Sequence, residues 1–325
     1  MSKEKTKMNI NEFANEVRDN IKCFLPKAYE NAEVSVMDCQ KLNVSYKGLM
    51  VKMEKNMISP IVNLDQLHEI YQDQPETTME SIYRRIADIV LGAPVEVNLN
   101  PFMDYNIAKY NLFIRVSSAE KNKDILANVP HQLKEDLAIT YHLITNMRGG
   151  ELSSLLIKND LLKQYGITAE QLHEDAMNSS PHIMPQEVSS MGTIIREFGE
   201  QDPFMMSSEE NDMLQESEPA PSIYVVTNRE RLNGAGVIFY PGMMEYLGSL
   251  FCQDYFILPS SIHEMIVLPD NGENSVNELK MMVSGINATQ VAPSERLTDE
   301  VYHFDTKDHV FEKADNFIKR KNRAI

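Results

Sequence analysis

A chain of 325 residues with 31 Lys and Arg against 48 Asp and Glu carries a formal charge of −17. That charge works against non-specific attraction to nucleic acid or to anionic membranes. With 42% apolar and 24% charged residues, the composition is that of an ordinary globular protein long enough to bury a substantial core, as one large domain or two smaller ones.

Taken in chain order, Asn11 to Leu25 spaces Phe13, Val17, Ile21 and Phe24 as one face of a helix that Pro26 ends. Ala32 to Asp38 and Val44 to Met53 alternate as a strand pair, and helices follow near Leu64 to Gln72 and Thr77 to Leu91. Asn111 to Ser117 reads as a strand. Next come a β-like run at Ile139 to Thr145, a turn at Asn146 to Gly150, a second apolar run at Leu152 to Ile157, and a helical stretch at Asn159 to Tyr165. Thr168 to Gln171 matches a capping box for a helix running to about Asn178.

About eighty residues on, the hairpin-then-helix plan recurs. Ile223 to Thr227 is a strand, Asn233-Gly234 is the expected two-residue hairpin signal, Gly236 to Tyr240 is the return strand, and Pro241 to Leu250 is the helix. Tyr255 to Leu258 and Met265 to Leu268 form a further pair, each closed by a proline (Pro259 and Pro269). Val276 to Ile286 is a helix with Leu279, Met282 and Val283 inward, and Val301 to Phe304 with Val310 to Glu312 is a last hairpin. Strand runs between single helices predict an α+β fold with antiparallel pairing and two similar hairpin-helix units.

The expected organisation is an N-terminal portion over 1–185, an acidic linker or long loop over 186–221, and a C-terminal portion over 222–325. The linker rests on Gly199 to Pro221. No Lys or Arg occurs between Arg196 and Arg229, while Glu200, Asp202, Glu209, Glu210, Asp212, Glu216 and Glu218 accumulate beside prolines. Of the methionine pairs, Met243-Met244 and Met281-Met282 are expected in the core, and Met205-Met206 is an exposed docking element inside the acidic stretch. The terminal cluster Lys319 to Arg323 is expected to be a solvated, fraying tail.

Cys23, Cys39 and Cys252 are far apart and odd in number, which predicts buried free thiols in a reducing compartment rather than a disulfide frame or a zinc site. A polar N-terminus and the lack of any run of about 18 apolar residues predict a cytoplasmic protein without a membrane span.

The densest set of chemistry-bearing residues is Ser260, Ser261, His263 and Glu264. Side chains two apart on an extended strand lie about 6.5 Å from each other, too far for a Ser–His hydrogen bond, so a turn role is expected for them. The alternative is a hydrolase using Ser260 or Ser261 with His263, or with a distant histidine such as His131. For metal, His68-Glu69 is followed by Gln72 where a zinc-protease helix needs its second His, and of the nearby set His173, Asp175 and His182 the last follows a proline beyond the helix and need not return. Asn233-Gly-Ala-Gly236 lacks both the phosphate-loop spacing and a following helix N-terminus. No cofactor or metal is therefore expected, and aromatic–basic interleaving of the kind that grips single-stranded nucleic acid is missing.

The phrases IYVVTN, GVIFYPG, YFILPSSIHE, ATQVA and YHFD, together with VPHQLKEDLAITYHL, LLIKNDLLKQYGI and EDAMNSSPHIMP upstream, resemble a bacterial family of unknown function, the one numbered 5688. The similarity runs from about Leu25 to about Asp305. It implies an intracellular α+β protein often encoded on mobile elements, with no activity, substrate or functional residue to carry over. The expectation from all of this is a non-enzymatic protein-interaction or regulatory module with a protein partner, no membrane, and no nucleic acid.

Overall fold

The computed structural model describes residues 8–53, 59–92, 100–148, 151–194 and 223–323. It is an α+β fold divided into two compact units, Met1–Leu99 and Asn100–Ile325. The division expected near residue 185 therefore falls inside the second unit. Gly199 to Pro221, with Met205-Met206, lies outside the described residues.

The first unit starts with α1 (Ile10–Asn20), which opens on a full capping box between Asn9 and Glu12 and runs into a 3-10 turn at Ile21–Phe24. Strands β1 (Glu33–Lys41), β2 (Val44–Lys52) and β3 (Ile61–Asn63) form an antiparallel sheet in that order. Helices α2 (Leu64–Asp73) and α3 (Met79–Gly92) complete it. Phe13, Val17, Ile21, Leu49, Val51, Leu67, Ile82 and Ile86 fuse into one apolar core drawn wholly from this unit. Burying such side chains stabilises by about 1.5–3 kcal/mol each.

In the second unit a short helix α4 (Tyr105–Ala108) leads into β4 (Leu112–Ser118), and α5 (Lys123–Leu126) precedes β5 (His131–Lys134), β6 (Leu137–Arg148) and β7 (Glu151–Leu156). The long β6 is paired by β4 on one side, and by β5 and then β7 on the other. After α6 (Asn159–Tyr165) and α7 (Ala169–Ile183), β8 (Gln186–Ser190) pairs with β9 (Tyr224–Asn228). Then come α8 (Met243–Phe251), β10 (Tyr255–Ser261), β11 (Glu264–Pro269), α9 (Val276–Thr289), β12 (Tyr302–Asp305), β13 (Val310–Lys313) and α10 (Ala314–Arg323). Strands β8 to β13 make one six-stranded sheet, in the order β13-β12-β10-β11-β9-β8. Ile114, Ile139 and Tyr141 of the four-stranded sheet share the main core with Val226, Ile257, Met265 and Tyr302 of this sheet. The opposite face of the six-stranded sheet buries Phe256, Leu258 and Leu268 against Leu279 and Val283 of α9.

Several expectations are corrected here. Gly236 to Tyr240 is not a return strand. Gly234–Phe239 is a 3-10 helix with every residue buried in the main core. Continuous apolar text buried on all sides has no alternation to distinguish strand from helix. The hairpin-helix plan therefore holds for β6, β7 and α6 but fails in its second copy. Helix α7 does not stop near Asn178 and runs through Pro181 to Ile183. Its N-cap is half a box: Thr168 Oγ1 accepts from Gln171 N–H, while the Gln171 amide donates to Asp175 at 3.1 Å.

Strands β10 and β11 extend through Pro259 and Pro269, with a register shift between Pro259 and Ser261 that accommodates the missing N–H. Met282 is 54% and Met281 67% exposed, so that pair is not core. Cys23 and Cys252 are exposed and Cys39 is half-buried, all as free thiols. The basic terminus is a helix docked through ion pairs, not a solvated tail. Among the described residues, no helix is long and apolar enough to cross a membrane.

Candidate functional site

The Ser260–Glu264 set closes the β10–β11 hairpin, and its polar atoms hold that closure together. Ser260 Oγ donates to Glu264 Oε1 at 3.0 Å, and Ser261 Oγ accepts the backbone N–H of His263 at 3.0 Å. The imidazole faces elsewhere. Its Nδ1 accepts the Asn233 N–H at 3.2 Å, which puts the proton of the neutral ring on Nε2, 3.6 Å from Glu295 Oε1. The His263 carbonyl accepts from the Thr227 hydroxyl at 2.7 Å, and the Ile262 carbonyl from Ala235 N–H at 3.1 Å. The four residues are thus close in space, but neither serine hydroxyl meets the imidazole. A nucleophile needs a base within hydrogen-bond reach.

Glu295 belongs to the segment between α9 and β12, and that segment helps wall a cleft of about 700 Å³. Lys121 and Arg296 line it together with Asp136, Asp299 and Glu300. Its carboxylates are held by the fold. Tyr302 donates to Asp136 at 2.7 Å, and Lys313 lies 3.2 Å from Asp136 and 3.6 Å from Glu300. Lys280 reaches Glu300 and Asp315, each at 2.6 Å, and Asn287 donates to Asp299 at 2.7 Å. Burial, and secondarily the Asp136 charge, push the Tyr302 phenol far above its ordinary range, so it stays a donor. A cleft so lined suits a polar ligand of mixed charge, and it holds no Ser–His or Cys–His pair.

Of the remaining histidines, His173 and His309 line one cavity together, with Glu245 3.7 Å from His309, while His68, His131 and His182 lie elsewhere. His173 Nδ1 meets the Tyr141 hydroxyl at 3.0 Å beside this cavity of about 440 Å³, where burial and then Lys134 lower its pKa. Asp175 accepts instead from Tyr105 at 2.6 Å, and His182 is exposed. His68 contacts the Met8 carbonyl at 2.8 Å, and His131 Nδ1 donates to the Val129 carbonyl at 3.0 Å. Among the described residues, no three His, Cys, Asp or Glu side chains are grouped so as to hold a metal ion.

Sequence reasoning missed two features. Ser179 donates to the Leu112 carbonyl, and Ser180 accepts Ile114 N–H at 3.0 Å, stitching α7 to β4. Adjacent serines before a proline are a weak cue for this. The other is Asp305, fully buried and gripped by Arg320 at 2.7 Å and Lys321 at 2.6 Å, a pairing set by the β12–β13 turn rather than by any spacing in the text.

The architecture is that of an α+β protein in which the polar atoms of Ser260 to Glu264 close a hairpin. The family described as a family of unknown function, DUF5688, matches residues 10–306, and the chain belongs to it. No curated protein and no solved structure matches the chain.

Proposed function

We propose that this chain is a non-enzymatic protein-interaction or regulatory module whose partner is a protein with a basic surface. The observation that carries this is the engagement of the serine and histidine atoms at 260–264 in hairpin closure, which leaves binding as the use the surface fits. Two further features support it. The −17 charge attracts a basic partner over long range. On α9, Met281, Met282 and Ile286 are exposed, 67%, 54% and 38%, and methionine is an adaptable contact residue. Free cysteines are consistent with a cytoplasmic site of action.

The test is affinity capture from the source cells with wild type, a Gly199–Pro221 deletion, and Met282→Lys, at low and raised salt. One basic protein should be recovered in stoichiometric amount by wild type, with salt-sensitive retention, and lost with Met282→Lys. Recovery of no stoichiometric partner by any form overturns the proposal. The alternative, a Ser/His hydrolase at the 259–264 turn, requires labelling by a fluorophosphonate probe that Ser260→Ala or Ser261→Ala removes. We expect no labelling.

A further inference from the structure

The face of the four-stranded sheet turned away from the main core carries a polar patch. Register places Arg115 of β4 opposite Thr140 of β6, with Phe113 opposite His142 and Ser117 opposite Ala138 on the same face. Across β6, His131 of β5 also pairs with Thr140. Ser117, Thr140 and His142 are 1%, 0% and 3% exposed, while Arg115 and His131 keep partial access to solvent. Apolar clusters bound the patch, Phe113, Ile144 and Met184 at one end and Leu126, Val129 and Ala138 at the other.

The charge balance of this patch is incomplete. Among the described residues, the Arg115 guanidinium has no carboxylate or other acceptor, and burial alone pushes its pKa down to about 10. It stays protonated at neutral pH. His142 Nε2 lies 3.1 Å from Thr140 Oγ1, and burial, followed by the Arg115 charge, holds its pKa well below the ordinary value, so it is neutral. Among the described residues, the buried Ser117 hydroxyl has no hydrogen-bond partner. A cation held largely out of water and an unsatisfied hydroxyl are each costly to a fold unless something completes them.

We infer that this patch is a binding site for a small molecule bearing a carboxylate, which Arg115 takes through its guanidinium fork while Ser117, Thr140 and His131 flank it. The fork matches a planar carboxylate in a bidentate pair. The class follows from the donor set: register puts the planar Arg115 guanidinium between Phe113 and Ser117 on this face, and a carboxylate monoanion matches its fork and balances its charge. A phosphate dianion would bring excess negative charge into a desolvated place. The apolar ends favour a ligand whose body is apolar. This inference is independent of the protein-partner proposal, because it concerns a different face and a different ligand class.

Benzoate and acetate are the probes, used with the full chain and with inorganic phosphate and chloride at matched ionic strength. Binding is followed by the Arg115 side-chain Nε–H resonance and by melting temperature. Benzoate should shift that resonance and raise the wild-type melting temperature, since a ligand bound only by the folded state stabilises it. Arg115→Met should bind benzoate roughly 10- to 100-fold more weakly, as expected for loss of a charge-assisted hydrogen bond. It should also melt above wild type in the absence of ligand. Arg115→Lys, which keeps the charge and loses the fork, should fall between the two. An Arg115 resonance unmoved by benzoate overturns the site, and that readout needs only wild type, so it stands even where a variant fails to fold. Equal melting shifts in wild type and Arg115→Met also overturn it. Phosphate moving the resonance as strongly as benzoate overturns the monoanion class.

Discussion

Gly234 illustrates how far single residues were legible. Asn233-Gly234 was readable as a turn signal, and Asn233 does adopt a left-handed conformation, φ 54°. The need for glycine at 234 has another cause. A Cβ there would run into the Thr227 hydroxyl, sit 2.5 Å from the His263 carbonyl oxygen and 2.8 Å from Asn228 N. Two of these neighbours are backbone and cannot step aside. Gly234→Ala should therefore destabilise by about 1–3 kcal/mol, read as a lowered urea midpoint with unchanged slope. Ser180 makes the complementary point, because its value lies in an Ile114 N–H donor that arrives from 66 residues away. Ser180→Ala leaves that buried donor unpaired and should cost about 1–3 kcal/mol, with faster hydrogen exchange at Ile114. No local pattern announces a partner so distant in sequence.

At the scale of elements, the C-terminal helix departs most from its sequence expectation. Lys and Arg crowding a chain end read as solvated, yet α10 returns to the β12–β13 turn. Arg320 reaches Asp305 at 2.7 Å, Asp308 at 2.6 Å and Glu312 at 2.7 Å, while Phe317 stacks on His303 at 3.6 Å between ring centres. Burial by itself would raise the Asp305 carboxyl. Hydrogen bonds from Lys321, the Asp308 backbone and Arg320 together outweigh it and hold the pKa well below the usual carboxylate range. A carboxyl depressed on folding contributes stability that is fully present above its unfolded pKa, about 4, and is lost as pH falls through the lower folded value. Asp305→Asn should therefore cost about 2–3 kcal/mol at neutral pH, discounted because both cations are partly exposed. Urea unfolding of wild type and variant should converge as the pH is taken down through the acid range below about 4. A gap between them that is the same in acid as at neutral pH would contradict the clasp.

For the whole molecule, the main consequence is that each unit has an apolar core of its own. Among the described residues, the buried side chains of the Phe13–Val90 core come from the first unit, and those of the other four clusters come from the second. Ile86→Ala, at a fully buried position, should cost about 2–5 kcal/mol. Its loss of hydrogen-exchange protection should be confined to the described residues before 93, leaving β4 to α10 protected. Loss of protection spreading evenly into β10 and β12 would show that the two units unfold together.

Local pattern by itself determined the α+β class and most helices and strands, which follow from periodicity, caps and turn residues that act within a few positions. The family was legible separately, from whole phrases of sequence that resemble it. Tertiary structure alone decided four matters. Gly234–Phe239 coils as a 3-10 helix in the core rather than pairing as a strand. The hydroxyls of Ser260 and Ser261 face Glu264 and a backbone amide rather than the His263 ring. The basic terminus docks on Asp305, and Arg115 lies on a partly buried sheet face with no acceptor beside it among the described residues. In each case the deciding neighbour comes from a strand or turn distant in sequence or from the register of a hairpin. Which atoms meet there, or fail to meet, is set only when the sheets pack.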